Sequence, residues 1–115
     1  MFRLIPLMLV CAAGCASAPQ DPARVEAINE ALANRAAIAK KCGIAEPDRS
    51  AAFLSEASMR VDPAARARLA EKAAEIITSA QAEESEYICT PDMFEQSQAA
   101  AEQAQADWAN ISRTK

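Results

Sequence analysis

Residues 90–112, TPDMFEQSQAAAEQAQADWANIS, decide the class of this fold. Thr90 offers a side-chain oxygen to cap a helix, and Pro91 follows at the first helical position, where its missing N–H costs nothing. Phe94, Ser97, Ala101, Ala104, Trp108 and Ile111 then recur at strict three-four spacing, the repeat of one helix face. Small residues in the middle of that seam let a neighbouring helix approach closely. The spacing predicts a helix over 91–112. Alanine, with the highest helix propensity, and Gln, Glu, Arg and Lys fill most of the remaining chain. No run alternates apolar and polar residues with β-branched enrichment, so no strand is expected.

Upstream, Asp62-Pro63 repeats the cap-plus-proline start and opens a helix expected over 63–88. Leu69, Ala73, Ile76, Ile77, Ala80, Tyr87 and Ile88 form its inner side. Glu83, Glu84 and Glu86 crowd its end, where acids oppose the helix dipole. A short helix over 49–60 precedes it, with Phe53 or Leu54, Ala57 and Val61 as its apolar face. Residues 44–48 form a loop containing Pro47. Asp21-Pro22 opens the first helix, expected over 22–41. Val25, Ile28, Leu32, Ala39 and Cys42 share a stripe interrupted by one polar residue, Arg35. Lys40 and Lys41 suit the negative end of that helix, and Gly43 is a helix stop. The expected fold is all-α: a small four-helix domain, one helix short, with one disulfide.

The start of the 115-residue chain sets a compartment. Arg3 precedes an apolar run over 4–13 and a cluster of small residues, the order of a secretory signal. The run is shorter than the roughly 20 residues that cross a bilayer. Ala12-Ala13-Gly14-Cys15 resembles the lipobox of bacterial lipoproteins, departing from it at Ala12, where Leu is usual. The resemblance implies a signal peptide over 1–14, acylation of Cys15, a tether over 15–21 and a helical domain over 22–115. Ala16 after the cysteine points to the outer membrane rather than the inner. An ordinary signal peptide cut after Ala16-Ser17-Ala18 is the alternative, giving a soluble periplasmic or secreted protein with Pro19 just past the cut. Two cysteines then remain, Cys42 and Cys89. In an oxidising compartment they are expected to pair, clamping the end of helix one to the corner between helices three and four, with free thiols as the alternative. The clamp would bring Lys40 and Lys41 near Glu83 and Glu86.

The composition excludes several chemistries. The chain has no His, so Ser-His-Asp and Cys-His machinery is absent, as is the commonest zinc ligand. Only Gly43 remains outside the signal, too little for a phosphate-cradling loop. Every Asp and Glu reads as a helix cap or a solvated helix face. The formal net charge of −4, with no basic stripe, tells against nucleic acid. No enzyme, cofactor, metal or small-molecule substrate is expected, which leaves surfaces as the carriers of function. Phe94 and Trp108 are the candidate binding residues, with a core role for Trp108 on its seam as the alternative; Ala-lined helices cannot close over many large residues, and an apolar groove left open among them would take a partner helix.

The order of parts resembles the four-helix pilotins of type II secretion, small outer-membrane lipoproteins. The matching pieces are Ala12-Ala13-Gly14-Cys15, then Lys40-Lys41-Cys42-Gly43, the Pro47-Asp48 loop, and residues 84–89 before the last helix. The resemblance implies a non-enzymatic adaptor or chaperone that grips a short segment of a secretin subunit, which becomes ordered on binding. Cys15, Cys42 and Cys89 are the residues it carries over. A self-associating envelope protein, using the seam over 94–111, and a small periplasmic inhibitor presenting the loop over 44–48 are the competing expectations.

Overall fold

The computed structural model describes residues 21–113. They form helices α1 (Pro22–Cys42), α2 (Arg49–Ala57), α3 (Pro63–Ala82), the single turn α4 (Ser85–Ile88) and α5 (Pro91–Arg113). The fold is all-α with four longer helices, one of them short, and one disulfide.

Each longer helix begins on a side-chain cap. Asp21 accepts from the Ala23 N–H at 3.0 Å, Asp48 from Ala51 at 3.0 Å, and Asp62 from Ala65 at 2.8 Å. The Thr90 hydroxyl oxygen accepts from the Met93 N–H at 3.2 Å. Each of these bonds satisfies one donor that the first helical turn leaves without a partner. At the far end of α1, Gly43 adopts φ 72°, a left-handed conformation that other residues enter only under strain. The chain there folds back, and the Ile44 N–H bonds the Ala39 carbonyl at 2.9 Å.

Two helix ends differ from expectation. The helix expected over 63–88 stops at Ala82, and Glu83 and Glu84 are extended, with ψ 154° and 138°. Three acids at a helix C-terminus face the negative end of the dipole, and the chain must also turn to bring Cys89 to Cys42. Tyr87, expected on the inner side, is 69 % exposed on α4, and Ile76 and Ile77 are only half-buried. The helix expected over 49–60 ends at Ala57. The Met59 and Arg60 N–H groups bond carbonyls three residues back, and Asp62 is extended (ψ 163°), the region favoured before a proline.

Helix α1 is the axis of the domain. Its largest interfaces are with α5 and α3, which barely touch one another, and α2 covers part of the remaining circumference. Accordingly α1 buries two rows. Val25, Ile28, Leu32, Arg35 and Ala39 form the row legible in the sequence, and Asn29, Ala33 and Ala37 form a second, four residues apart. The core joins Val25, Ile28 and Leu32 to Phe53 and Ala57 of α2, Leu69 of α3, and Ala101, Ala104 and Trp108 of α5. Asn29 is buried and its Nδ2 donates to the Leu69 carbonyl at 3.0 Å, fixing α3 against the second row.

Candidate docking groove

The one polar residue in the α1 stripe is the hub of the upper half of the domain. Arg35 donates from Nε to Glu46 Oε2 at 2.9 Å and from Nη2 to Glu46 Oε1 at 2.8 Å, a two-pronged pair. Its Nη1 donates to the Phe94 carbonyl and to Ser97 Oγ, both at 3.0 Å. The Arg35 and Glu46 side chains are 8 % and 14 % exposed. One guanidinium therefore ties the loop after α1 to α1 and α5 together. The hydrogen bonds from Arg35 hold the Glu46 carboxyl below its ordinary pKa, against the opposing effect of burial, and the Arg35 and Arg49 charges add to the lowering. Glu46 is thus neither a cap nor a solvated helix face, as every acid was expected to be.

Cys42 and Cys89 are joined, with their Cα atoms 5.6 Å apart. The bond clamps the end of α1 to the corner between α4 and α5. It does not create the expected Lys–Glu pairs: Lys41 Nζ donates instead to the Gln81 carbonyl at 2.8 Å. No ion pair joins Lys40 or Lys41 to Glu83 or Glu86 among the described residues. With α3 already ended at Ala82, its last carbonyls are free to take the lysine, a better use of a cation at that pole than a solvated surface pair.

Because α3 and α5 flank α1 and barely touch, a groove remains between them. Ala31, Asn34, Ala37 and Ile38 form its floor, Ala80 and Ile88 one wall, and Met93, Gln96, Ser97 and Ala100 the other. It encloses about 300 Å³. The alanines keep the floor and walls low, and Asn34 and Gln96 supply amides that can both donate and accept. The disulfide places Ile88, next to Cys89, at the edge of this groove.

The two candidate binding residues occupy different settings. Phe94 is half-buried at the top of α5, where its carbonyl serves Arg35 and Ser97. Trp108 is 7 % exposed in the core. Its ring meets Phe53 edge-on, with centroids 4.9 Å apart, and its Nε1 donates to Glu56 Oε1 at 2.6 Å. It lines a separate cavity of about 420 Å³ between α2 and α5, with Arg49, Glu56 and Gln105. The seam therefore serves the core, and neither aromatic lines the α3–α5 groove. Cys15 lies outside the described residues. Asn34, Met93, Gln96 and Ala100, which do line the groove, carried no signal in the sequence beyond helical spacing.

Removing the acceptor for the buried indole should be measurable. Glu56→Ala should cost about 1 kcal/mol, the low end for an orphaned buried donor, because the α2–α5 cavity beside it admits water. Denaturant unfolding followed by the fluorescence of the single Trp reads this directly. Glu56→Gln, which keeps an acceptor, should recover most of the loss.

No family model matches the chain, and comparison with curated proteins and solved structures finds no match. Among the described residues no group of three or more His, Cys, Asp or Glu is placed to hold a metal ion, and no helix is long and apolar enough to cross a membrane.

Proposed function

We propose that this chain is a lipid-anchored adaptor on the periplasmic face of the outer membrane, and that it holds a short segment of an envelope partner as a helix in the α3–α5 groove. The observation that carries the reading is the gap itself: α1 lies between two long helices that do not close over it. An amphipathic helix with small or slender residues on its apolar face would complete a four-helix layer there, covering Ala31, Ile88 and Ala100. The lipobox-like Ala12-Ala13-Gly14-Cys15 supports the anchor, and the order of parts supports a pilotin-like role toward a secretin. The self-associating alternative is disfavoured by the seam it needs, since Ser97, Ala101, Ala104 and Trp108 are already buried within the chain.

Ala100 is exposed on the groove wall, so Ala100→Trp should fill the groove while leaving the core intact. Affinity capture from detergent-solubilised envelopes should then return a stoichiometric partner with the wild-type protein and at least tenfold less of it with Ala100→Trp, at equal thermal stability. Equal capture would remove the groove from the proposal. Cys15→Ala should release the protein from the membrane fraction and abolish function; full function from a soluble Cys15→Ala protein would sink the anchor.

A further inference from the structure

We infer that the end of the domain where α1 starts is a membrane-facing surface that docks on anionic phospholipid headgroups. The inference rests on the proposed acylation of Cys15. Six residues separate Cys15 from Pro22. At about 3.6 Å per residue the start of α1 stays within roughly 25 Å of an acylated cysteine, so this end of the domain is the one the bilayer meets.

Its surface differs from the rest of the molecule. The turn between α2 and α3 presents Met59 at 80 % exposure, one of the two large exposed apolar side chains among the described residues. Beside it lies a cavity of about 320 Å³ walled by Pro22, Val25, Val61 and Leu69. Arg60 and Arg68 stand on its rim, and Arg66 lies in the first turn of α3. None of the three arginines forms an ion pair among the described residues. The rim acids are Glu26 and Asp62, and the Asp62 carboxylate is occupied in capping Ala65. Arg24, on the first turn of α1, leans on Asp107 at 4.0 Å. An exposed thioether among guanidinium groups fits a headgroup layer: the sulfur and methyl enter the apolar boundary while the arginines meet phosphates.

The opposite end carries the contrary charge. Glu83, Glu84, Glu86, Asp92 and Glu95 are all exposed around α4 and the start of α5, and they outnumber Lys40 and Lys41 at the end of α1. An anionic surface repels that end and attracts the arginines, so the field sets the orientation of a domain that the lipid has already brought to the bilayer. Docked this way, the groove rim at Ile88 and Met93, at the α4 end, points away from the membrane toward an incoming partner.

The test uses the processed protein in vesicles of phosphatidylethanolamine and phosphatidylglycerol (3:1), against vesicles with phosphatidylcholine replacing the glycerol lipid. An environment-sensitive fluorophore is placed through Met59→Cys, and separately through Glu86→Cys at the far end. The expected result is a blue-shifted, shielded emission at position 59 on anionic vesicles only, with position 86 unchanged on both. Each arginine should contribute roughly fivefold to the ratio of docked to undocked domain. Arg60→Ser, Arg66→Ser and Arg68→Ser together should therefore lower it about 100-fold, whereas the three Arg→Lys changes should retain it. Raising the salt to about 1 M, where the screening length is about 3 Å, should abolish the shift. Equal exposure of position 59 on both vesicles, in protein whose mass confirms the acyl chains, overturns the surface alone. A mass without acyl chains removes the anchor, and the surface with it.

Discussion

Arg35→Ala destabilises the domain by about 3–5 kcal/mol at neutral pH, the range for removing one partner of a buried ion pair. For a domain of this size that is a fall in melting temperature of roughly 15–30 °C. The loss has three parts that act together. Glu46 is left as a largely buried carboxylate without its two-pronged partner, Ser97 loses a donor, and the Phe94 carbonyl loses the bond that fastens α5 to α1. Far-UV circular dichroism melts measure it, and a loss under about 1 kcal/mol would mean the pair behaves like a solvated surface bridge. Replacing both partners with apolar residues, Arg35→Met with Glu46→Leu, should recover much of the stability, because the cost lies in the orphaned charge.

The pair also sets a pH dependence. The folded-state pKa of Glu46 is lowered, so the unfolded chain binds its proton more tightly. The stabilisation is therefore fully present above the ordinary carboxylate range, about pH 4.3, and is lost as pH falls through the lowered folded value. The melting temperature of the wild type should decline across that acidic window. The gap between wild type and Arg35→Ala should narrow over the same window, and Glu46→Gln should remove that part of the pH profile. A gap that stays constant down to about pH 3 would assign the acid sensitivity to other carboxylates.

Cys42→Ser should cost nearly as much. The disulfide spans a sequence separation of 47, for which loop-closure entropy gives about 4 kcal/mol. Cys89→Ser should match it, and the double variant should be no worse than either single change, because each already deletes the whole bond. Thermal melts of the four proteins, with wild type repeated under a thiol reductant, check the equality; additive costs would separate the two sites energetically. The effect should reach the groove as well. α4 buries none of its residues, so the bond at Cys89 is the main restraint on Ile88 at the groove edge. Cysteine variants should consequently lose partner capture at temperatures where they remain folded.

Much of this architecture is local and hence legible. The starts at Asp21, Asp62 and Thr90, the stop at Gly43 and the stripe over Val25, Ile28 and Leu32 all follow from residues no more than a few positions apart. The α5 seam likewise reads as one face, and Ser97, Ala101, Ala104 and Trp108 are buried along it. The failures are also physical. Tyr87 and Ile88 continue the periodicity of α3, but periodicity does not register the charge of Glu83, Glu84 and Glu86 or the turn the disulfide demands. The burial of Asn29 has no local signal, because its partner, the Leu69 carbonyl, belongs to another helix.

Propensity, capping and helical periodicity act within one or two turns, and they suffice for the all-α class, the order of the four longer helices, three of the four cap-bearing starts and the residues of the α5 seam. Tertiary packing brings Arg35 to Glu46, Ser97 and the Phe94 carbonyl, and turns Trp108 inward to Phe53 and Glu56. Packing also sets α3 and α5 on either side of α1 without closing over it. These depend on which surfaces of distant segments come together, at sequence separations of 11, 52, 59 and 62, where no local pattern carries the pairing.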